Sequence, residues 1–491
     1  MRHITCPFRA RRNMGHGLAA ALSLAALLWV AMADASVRPR FGGIVRIQMS
    51  ERVETLDPRQ WPSSAMPAGA AERVDSLIFD RLVRLDEHGT DQPALAVSWQ
   101  RDAEAKRWLF RIRDGVKFSD GAPLTPTIAA LALQQLLGAT FDVSATSDSV
   151  MVLADHSLPD LPLQLAAGRY FIFHSMEDNS LAGTGPFRVA EWPAPESSAK
   201  AVFVANESCW AGRPFVDKIE LTMGVDPQRE ANSISFGEAD VVELPASQVR
   251  RAAQRGVRTA SSDPVELFAL VSDVSRPAIQ DSHLRQAISL SIDRASIADV
   301  VLQKQGVAAG GLLPNWISGY AHLFPVSFDP PRAKELRSAS THELSRPAPL
   351  VLVYDASDAE AHAVADRVAV NLRETGIVLQ VSGQSEDGKR KPMTADLRLV
   401  RHRIASPDPA AALSELLDSL GETAASLETP EQLYAAERAP IEAFRVIPLV
   451  HVSESYGLSL RVRDWMPPRW GGWRLEDVWL SAPAAAGGNP Q

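Results

Sequence analysis

The chain has 491 residues, of which 46% are hydrophobic and 22% charged, the balance of an ordinary globular protein rather than a disordered or low-complexity one. A formal charge of −9 at pH 7 gives it no electrostatic attraction for nucleic acid or for an anionic membrane surface. The length predicts about three domains.

Residues 1–35 read as a cleavable secretory signal. Arg2, Arg9, Arg11 and Arg12 precede an apolar run from Gly17 to Ala33, and Ala31, Ala33 and Ala35 supply the small residues of a cleavage site after Ala33 or Ala35. The Ala-rich run of 17 residues is short for a membrane span, and no other stretch approaches that length, so no stable membrane insertion is expected. Arg11-Arg12 lacks the strong apolar follow-up of a twin-arginine signal, which favours general secretion. Loss of these residues removes four Arg and one Asp and moves the charge from −9 to −12. Cys6 leaves with them and precedes the apolar run, so it is not a lipobox cysteine, and Cys209 remains alone. A soluble, disulfide-free periplasmic protein is the expectation.

After the leader, GGIVRIQMS (42–50) alternates as a strand and is broken by Pro58 and Pro62. AAERVDSLIFDRLVRLD (70–86) places Val74, Leu77, Ile78 and Leu82 at helical spacing, predicting a helix that runs to a turn at His88-Gly89. In RWLFRIRDGVKFSDGAPLT (107–125), Trp108, Phe110 and Ile112 face one way and Arg107, Arg111 and Arg113 the other, a half-buried strand. Asp114-Gly115 and Asp120-Gly121 are turns around a short strand of Val116 and Phe118. Thr125 then caps a helix with Pro126 in its first position and Ile128, Leu131, Leu133, Leu136 and Leu137 as its buried face.

GTGPFRVAEW (183–192) is a Gly-Pro turn feeding a strand, and REANSISFGEADVVEL (229–244) a helix followed by a buried strand with Asp240 at its lip. A helix is predicted from Ser282 to Leu302, and residues 347–382 read as a βαβ unit whose helix ends at Gly376. The tail 482–491, within SAPAAAGGNPQ, is expected to be disordered.

Chemistry is sparse. The 11 His are scattered, with no HExxH pair and no CxxC, so no metal site and no cofactor are expected. There is no GxSxG elbow and no GxxxxGK[ST] loop. The chain is read as a non-enzyme.

In order and spacing, ETLDP, LIFDRLVRLDEHG, PALAVSWQ, WLFRIRDGVKFSDGAPLT, GTGPF, NESCWAGRPFVDKIEL, GEADVVEL and LRQAISLSIDRASIADVVL closely resemble the family 5 extracellular solute-binding proteins, the peptide and nickel receptors of ABC importers. The resemblance implies an α/β periplasmic-binding-protein clamshell of type II, class C, with two mixed lobes and a small inserted domain. Lobe I would comprise 36–69, 181–262 and 452–491, the inserted domain 70–180 and lobe II 263–451. Between Thr125 and GTGPF the chain is shorter than many relatives. The implied function is capture of a peptide or peptide-like small organic solute by hinge closure and its delivery to the transmembrane subunits of an ABC permease, by a monomeric protein. An exported hydrolase and a ligand sensor on the same fold are the alternatives.

In peptide-binding relatives an aspartate four residues before a proline holds the ligand ammonium. In ADLRLVRHRIASPDP (395–409) that position, counted back from Pro409, is Ala405. Arg401, His402 and Arg403 lie just ahead, and two arginines beside a cleft suit a carboxylate or phosphate. On a strand Arg401 and Arg403 share a face and His402 points oppositely, while ion pairing to Asp396 and Asp408 is the alternative use of the arginines. A ligand amine would need another carboxylate, Asp408 or Asp355. Met49 and Ser50, at the end of the first strand, and Trp316, after GLLPN, complete the candidate ligand-binding set.

Overall fold

Eleven strands of mixed direction share one sheet, and their registers decide where a ligand can be held. The computed structural model describes residues 38–61, 69–193, 200–340, 349–384, 394–423, 427–470 and 472–481. The signal expected at 1–35 and the tail at 482–491 lie outside these residues. Residues from Phe41 onward form one unit and those up to Arg40 another.

The sheet strands are β1 (Ile44–Gln48), β2 (Phe187–Glu191), β3 (Lys200–Ala205), β4 (Lys218–Thr222), β5 (Val241–Glu243), β6 (Arg258–Ser272), β7 (Gly306–Ala308), β8 (Leu350–Asp355), β9 (Leu379–Gln384), β10 (Leu397–Arg403) and β11 (Val446–Leu458). Their spatial order is β2-β3-β4-β1-β5-β11-β6-β10-β8-β9, with β7 on β11. β1 runs parallel to β4 and β5, and β8 runs parallel to β9 and β10. The expected βαβ unit is therefore present.

The two longest strands, β6 and β11, join the halves. β5 pairs with the Tyr456–Leu458 end of β11, whereas β10 pairs with the Glu266–Ser272 end of β6. The carboxyl ends of β1 and β5 thus confront those of β8 and β10 over the middle of the long strands, the position where open α/β sheets collect ligands. The β6–β11 register slips there, at Ser261/Pro264 and Pro264/Glu266. Pro264 has no N–H to give the ladder, so the pairing is weakest between the halves.

Each half has its own core. Val45, Ile47, Met49, Phe187, Phe203 and Leu221 pack on one side of the junction. On the other, β6 is buried on both faces: Phe268 and Leu270 enter one core, Leu267, Ala269 and Val271 a second. A separate four-stranded antiparallel sheet, built from residues 96–101, 107–112, 141–145 and 149–154, carries a third core around Trp108, Phe110 and Ile112.

The helices used below are α1 (Ala70–Asp75), α2 (Pro126–Leu137), α3 (Pro227–Ser233), α4 (Ala246–Gln254), α5 (Ser282–Ser291), α6 (Ala359–Glu374), α7 (Pro409–Leu420) and α8 (Pro430–Glu442). Thr125 caps α2 as expected, accepting from Ile128 N at 3.3 Å, but Leu131 is 60% exposed and Ala129, Ala132, Leu133 and Leu136 form the buried face.

Two expected helices are broken. The segment 70–86 is helical only to Asp75 and then forms short strands at 80–81 and 83–85. The cause is tertiary: Gly185 N and Phe187 N bond to the carbonyls of Ile78 and Leu77, and a Cβ at Gly183 or Gly185 would overlap the Ile78 backbone. The helix expected over 282–302 stops at Ser291, because Ile292 is extended and Asp293 recaps the chain by accepting from Ser296 N. The buried Arg294 fixes this break by donating to the carbonyls of Pro448, Ser289 and Ser327.

Candidate functional site

Where the opposed strand ends meet, Glu454 of β11 stands at the centre of a buried charge network. Arg403, the last residue of β10, donates from Nε to Glu454 Oε1 at 2.5 Å. Arg73 of α1 approaches the same oxygen at 3.5 Å, and the Tyr456 hydroxyl donates to Oε2 at 3.2 Å. Arg73 also lies 3.0 Å from Glu243, at the end of β5, and 3.7 Å from Glu51, just beyond β1. Residues from both halves thus converge on a single carboxylate.

Arg73, Arg403 and Glu454 favour one another's charged forms, whereas burial pushes the Glu243 carboxyl up to about 7 against the pull of Arg73. Burial opposes the charge on Arg73, but Glu243, Tyr456, Glu454 and Glu51 outweigh it and hold its pKa well above the ordinary guanidinium value. Burial would raise the Glu454 carboxyl, yet Arg403 and Arg73 hold it below the usual range. Burial raises Glu51, with Arg73 opposing, although its side chain remains 54% exposed. Glu51 is thus the solvent-facing member of the network.

Several buried polar atoms of this network, Arg73 Nε, Glu243 Oε1 and two nitrogens of Arg403, have no hydrogen-bond partner among the described residues, and Arg403 has the most. Its side chain is 2% exposed, Nε is satisfied, and neither Nη1 nor Nη2 has a hydrogen-bond partner among the described residues. Buried guanidinium donors are ordinarily satisfied. Two of the three guanidinium nitrogens are thus buried without a partner among the described residues, and such a group suits an anionic one.

Arg401 is differently placed. It pairs with Glu266 at 2.5 Å, Asp358 at 3.0 Å and Glu360 at 3.3 Å, and its guanidinium lies 5.1 Å from the Phe268 ring centre. The two arginines are ion-paired, but with Glu266, Asp358, Glu360 and Glu454 and not with the alternative partners Asp396 and Asp408. Asp396 is bound by Arg276 at 2.6 Å and by Val351 N, and Asp408 caps α7 by accepting from Ala411 N at 3.0 Å. Burial lowers the His402 pKa to about 4, so its imidazole is neutral.

Of the remaining candidates, Met49 is fully buried in the core packed on β1. Ser50 lies between it and Glu51, and its backbone bonds to Glu243. Trp316 bridges the halves: its indole donates to Pro264 O at 3.0 Å, its ring centre lies 5.0 Å from that of Trp470, and Arg469 stacks at 5.2 Å. Arg469 also pairs with Asp263 and donates to Glu87 O at 2.8 Å. The exposed Asp355 accepts from Ser357 N.

Arg73, Glu243 and Glu454 were not singled out from the sequence. The available signal is slight: α1 is AAERVD, and Glu72, Arg73 and Asp75 are all buried in it, which no one-dimensional pattern reveals. Among the described residues no three or more His, Cys, Asp and Glu are placed to hold a metal, and no helix is long and apolar enough to cross a membrane.

Two opposed sets of strand ends over a hinge-like pair of long strands, with a buried charge network between them, define a binding protein of the clamshell class. The chain belongs to the bacterial extracellular solute-binding proteins, family 5, whose model matches residues 91–423. It is similar to the nickel-binding periplasmic protein of Escherichia coli, with 26% identity over 389 residues covering 70% of this chain and 73% of that one. It is also similar to the probable D,D-dipeptide-binding periplasmic protein DdpA of Escherichia coli, at 24% identity over 65% of this chain and 68% of that one. In fold it resembles NikA from Brucella suis in complex with Fe(III)-EDTA, with a TM-score of 0.76, 19% identity and coverage of 89% and 100%. The Escherichia coli murein tripeptide binding protein MppA superposes with a TM-score of 0.73, 17% identity and coverage of 89% and 98%. The expected fold class is the observed one.

Proposed function

We propose that this chain is the periplasmic substrate-binding component of an ABC importer, and that it closes on a small peptide or peptide-like solute carrying at least one carboxylate or phosphate. The observation that carries the reading is Arg403: two buried donor nitrogens without a partner among the described residues, at the point where both halves of the sheet converge. A ligand oxygen there would receive a charge-assisted fork. Because Arg73, Glu51 and Glu243 come from one half and Arg403 and Arg401 from the other, a ligand touching both would favour the closed arrangement, which is the condition for a binding event to drive closure. The slipped pairing around Pro264 is the natural hinge. Relatives named for dipeptides and a murein tripeptide support a peptide-like cargo.

The division into lobe I (36–69, 181–262, 452–491), inserted domain (70–180) and lobe II (263–451) belongs to this proposal. So do export by a signal at 1–35, a monomeric state, delivery to permease subunits and release of the ligand unaltered. Titration calorimetry with a tripeptide, its N-acetylated form and its C-terminal amide tests the ligand class. Amidation should abolish binding while acetylation is tolerated. A strict need for the free amine, with indifference to amidation, would overturn the reading.

A further inference from the structure

A concavity lies away from the buried charge network, between α4 and the turn at residues 297–304. It measures about 700 Å³, and Arg250, Arg251, Asp299, Val300, Gln303 and Lys304 are among its lining residues. Arg250, Arg251 and Lys304 make no ion pair or hydrogen bond with any described residue through their side chains, in a protein where most other clustered arginines are matched to carboxylates. Asp299 is the one acid of the lining, so three unneutralised bases converge on the surface of an otherwise acidic protein.

The backbone here is held in an unfavourable form. A π-helical turn spans Ile297–Val301, and Gln303 and Lys304 follow with φ of 50° and 69°. Two successive residues with side chains in the left-handed region are costly and persist only where surroundings enforce them. Lys304 N bonds to Ala298 O and Gln305 N to Leu302 O, both at 2.9 Å. The turn thereby presents Lys304 opposite the two arginines. Its other wall, α4, touches two cores: Val249 and Ala252 pack with Val242 and Leu244, whereas Ala246 joins Ile297, Ala298 and Leu302 in the core of the opposite half.

We propose that this groove is a docking site for an acidic segment of a protein partner that also inserts one apolar side chain. A small solute is a poor match, because solute sites bury most of their ligand and here Arg250, Arg251 and Lys304 are exposed and Val300 is 66% exposed. A bilayer surface cannot enter a concavity. An acidic loop carrying an aliphatic residue would neutralise the three bases and cover Val300. Unpaired surface charges of this kind act mainly on encounter rate and partner choice.

The test is a fluorescence anisotropy titration of labelled acetyl-Glu-Glu-Leu-Glu-Glu-amide against the signal-free protein at low ionic strength. Saturable binding is expected, weakened about tenfold or more by Arg250→Glu with Arg251→Glu and Lys304→Glu, and weakened by added salt. The corresponding triple Gln variant should lie between, which keeps the test decisive if the reversed variant does not fold. Arg403→Lys should leave peptide binding unchanged. The proposal is overturned by absence of binding, by binding indifferent to the groove variants, or by loss of binding on Arg403→Lys alone, which would place the peptide in the cleft. Groove-dependent binding of citrate or of phosphatidylglycerol vesicles in place of the peptide would overturn it equally.

Discussion

Arg403 reaches across β6 to Glu454, Nε to Oε1 at 2.5 Å, and the same carboxylate oxygen is approached by Arg73 from the opposite half of the molecule. One buried anion thus ties together groups from α1, β10 and β11. Since Glu454 compensates two buried cations, Glu454→Ala should destabilise the fold by about 3–5 kcal/mol, the cost of stranding buried charge. Equilibrium urea unfolding measures this. A loss below about 1 kcal/mol would show that the network is hydrated and does not act as a buried tie.

Arg403→Lys keeps a cation against Glu454 but removes the planar fork. Ligand affinity should fall by about 2–3 kcal/mol, roughly 30- to 150-fold, with a much smaller effect on unfolding. Calorimetry on a carboxylate-bearing tripeptide gives the comparison. An unchanged affinity would remove Arg403 from the binding machinery.

The contact of Trp316 with Trp470, reinforced by Arg469, spans the two halves. Trp470→Ala should remove about 1–2 kcal/mol of contact energy that favours the closed arrangement. Small-angle scattering should then show a larger radius of gyration for the ligand-free variant than for the wild type. Superimposable profiles would exclude a latch at this position.

Glu415 on α7 supplies a pH dependence. Burial, with Glu72 of α1, Asp408 and Asp418 adding repulsion, pushes its carboxyl up to about 8, and Tyr170 lies in the same electrostatic environment. An unfolded glutamate titrates near 4.3, so between there and about 8 the folded protein retains a proton that the unfolded chain releases. This contribution to stability is complete below the unfolded value and is lost as pH rises through the window. Urea midpoints should fall between about pH 5 and about pH 8, and Glu415→Gln should flatten that slope. An identical slope in the variant would assign the effect elsewhere.

Much of this protein was legible in one dimension wherever local pattern and tertiary environment agree. The alternation of Trp108, Phe110 and Ile112, the Thr125-Pro126 helix start and the βαβ unit at β8, α6 and β9 are present because each buries a periodic apolar face that the sequence displays. The ordered motifs from ETLDP to LRQAISLSIDRASIADVVL likewise led to the family. Local reading failed where distant partners override it: at Leu77–Leu85, drawn into strands beside Gly183 and Gly185, and at Ile292–Asp293, where Arg294 takes carbonyls from remote segments.

The buried charge network depended on tertiary structure alone. Sequence placed Arg401, His402 and Arg403 on one strand and distinguished their faces, but periodicity does not tell a neutralised arginine from one with free donors. That difference arises because Glu266, Asp358 and Glu360 reach Arg401, whereas Arg403 meets one carboxylate that it shares with Arg73. Electrostatic partnership acts over a few ångströms in space: the register of β6 against β10 and β11 brings Arg403 to Glu454, and α1 brings Arg73 to the same carboxylate from 381 positions away in the chain.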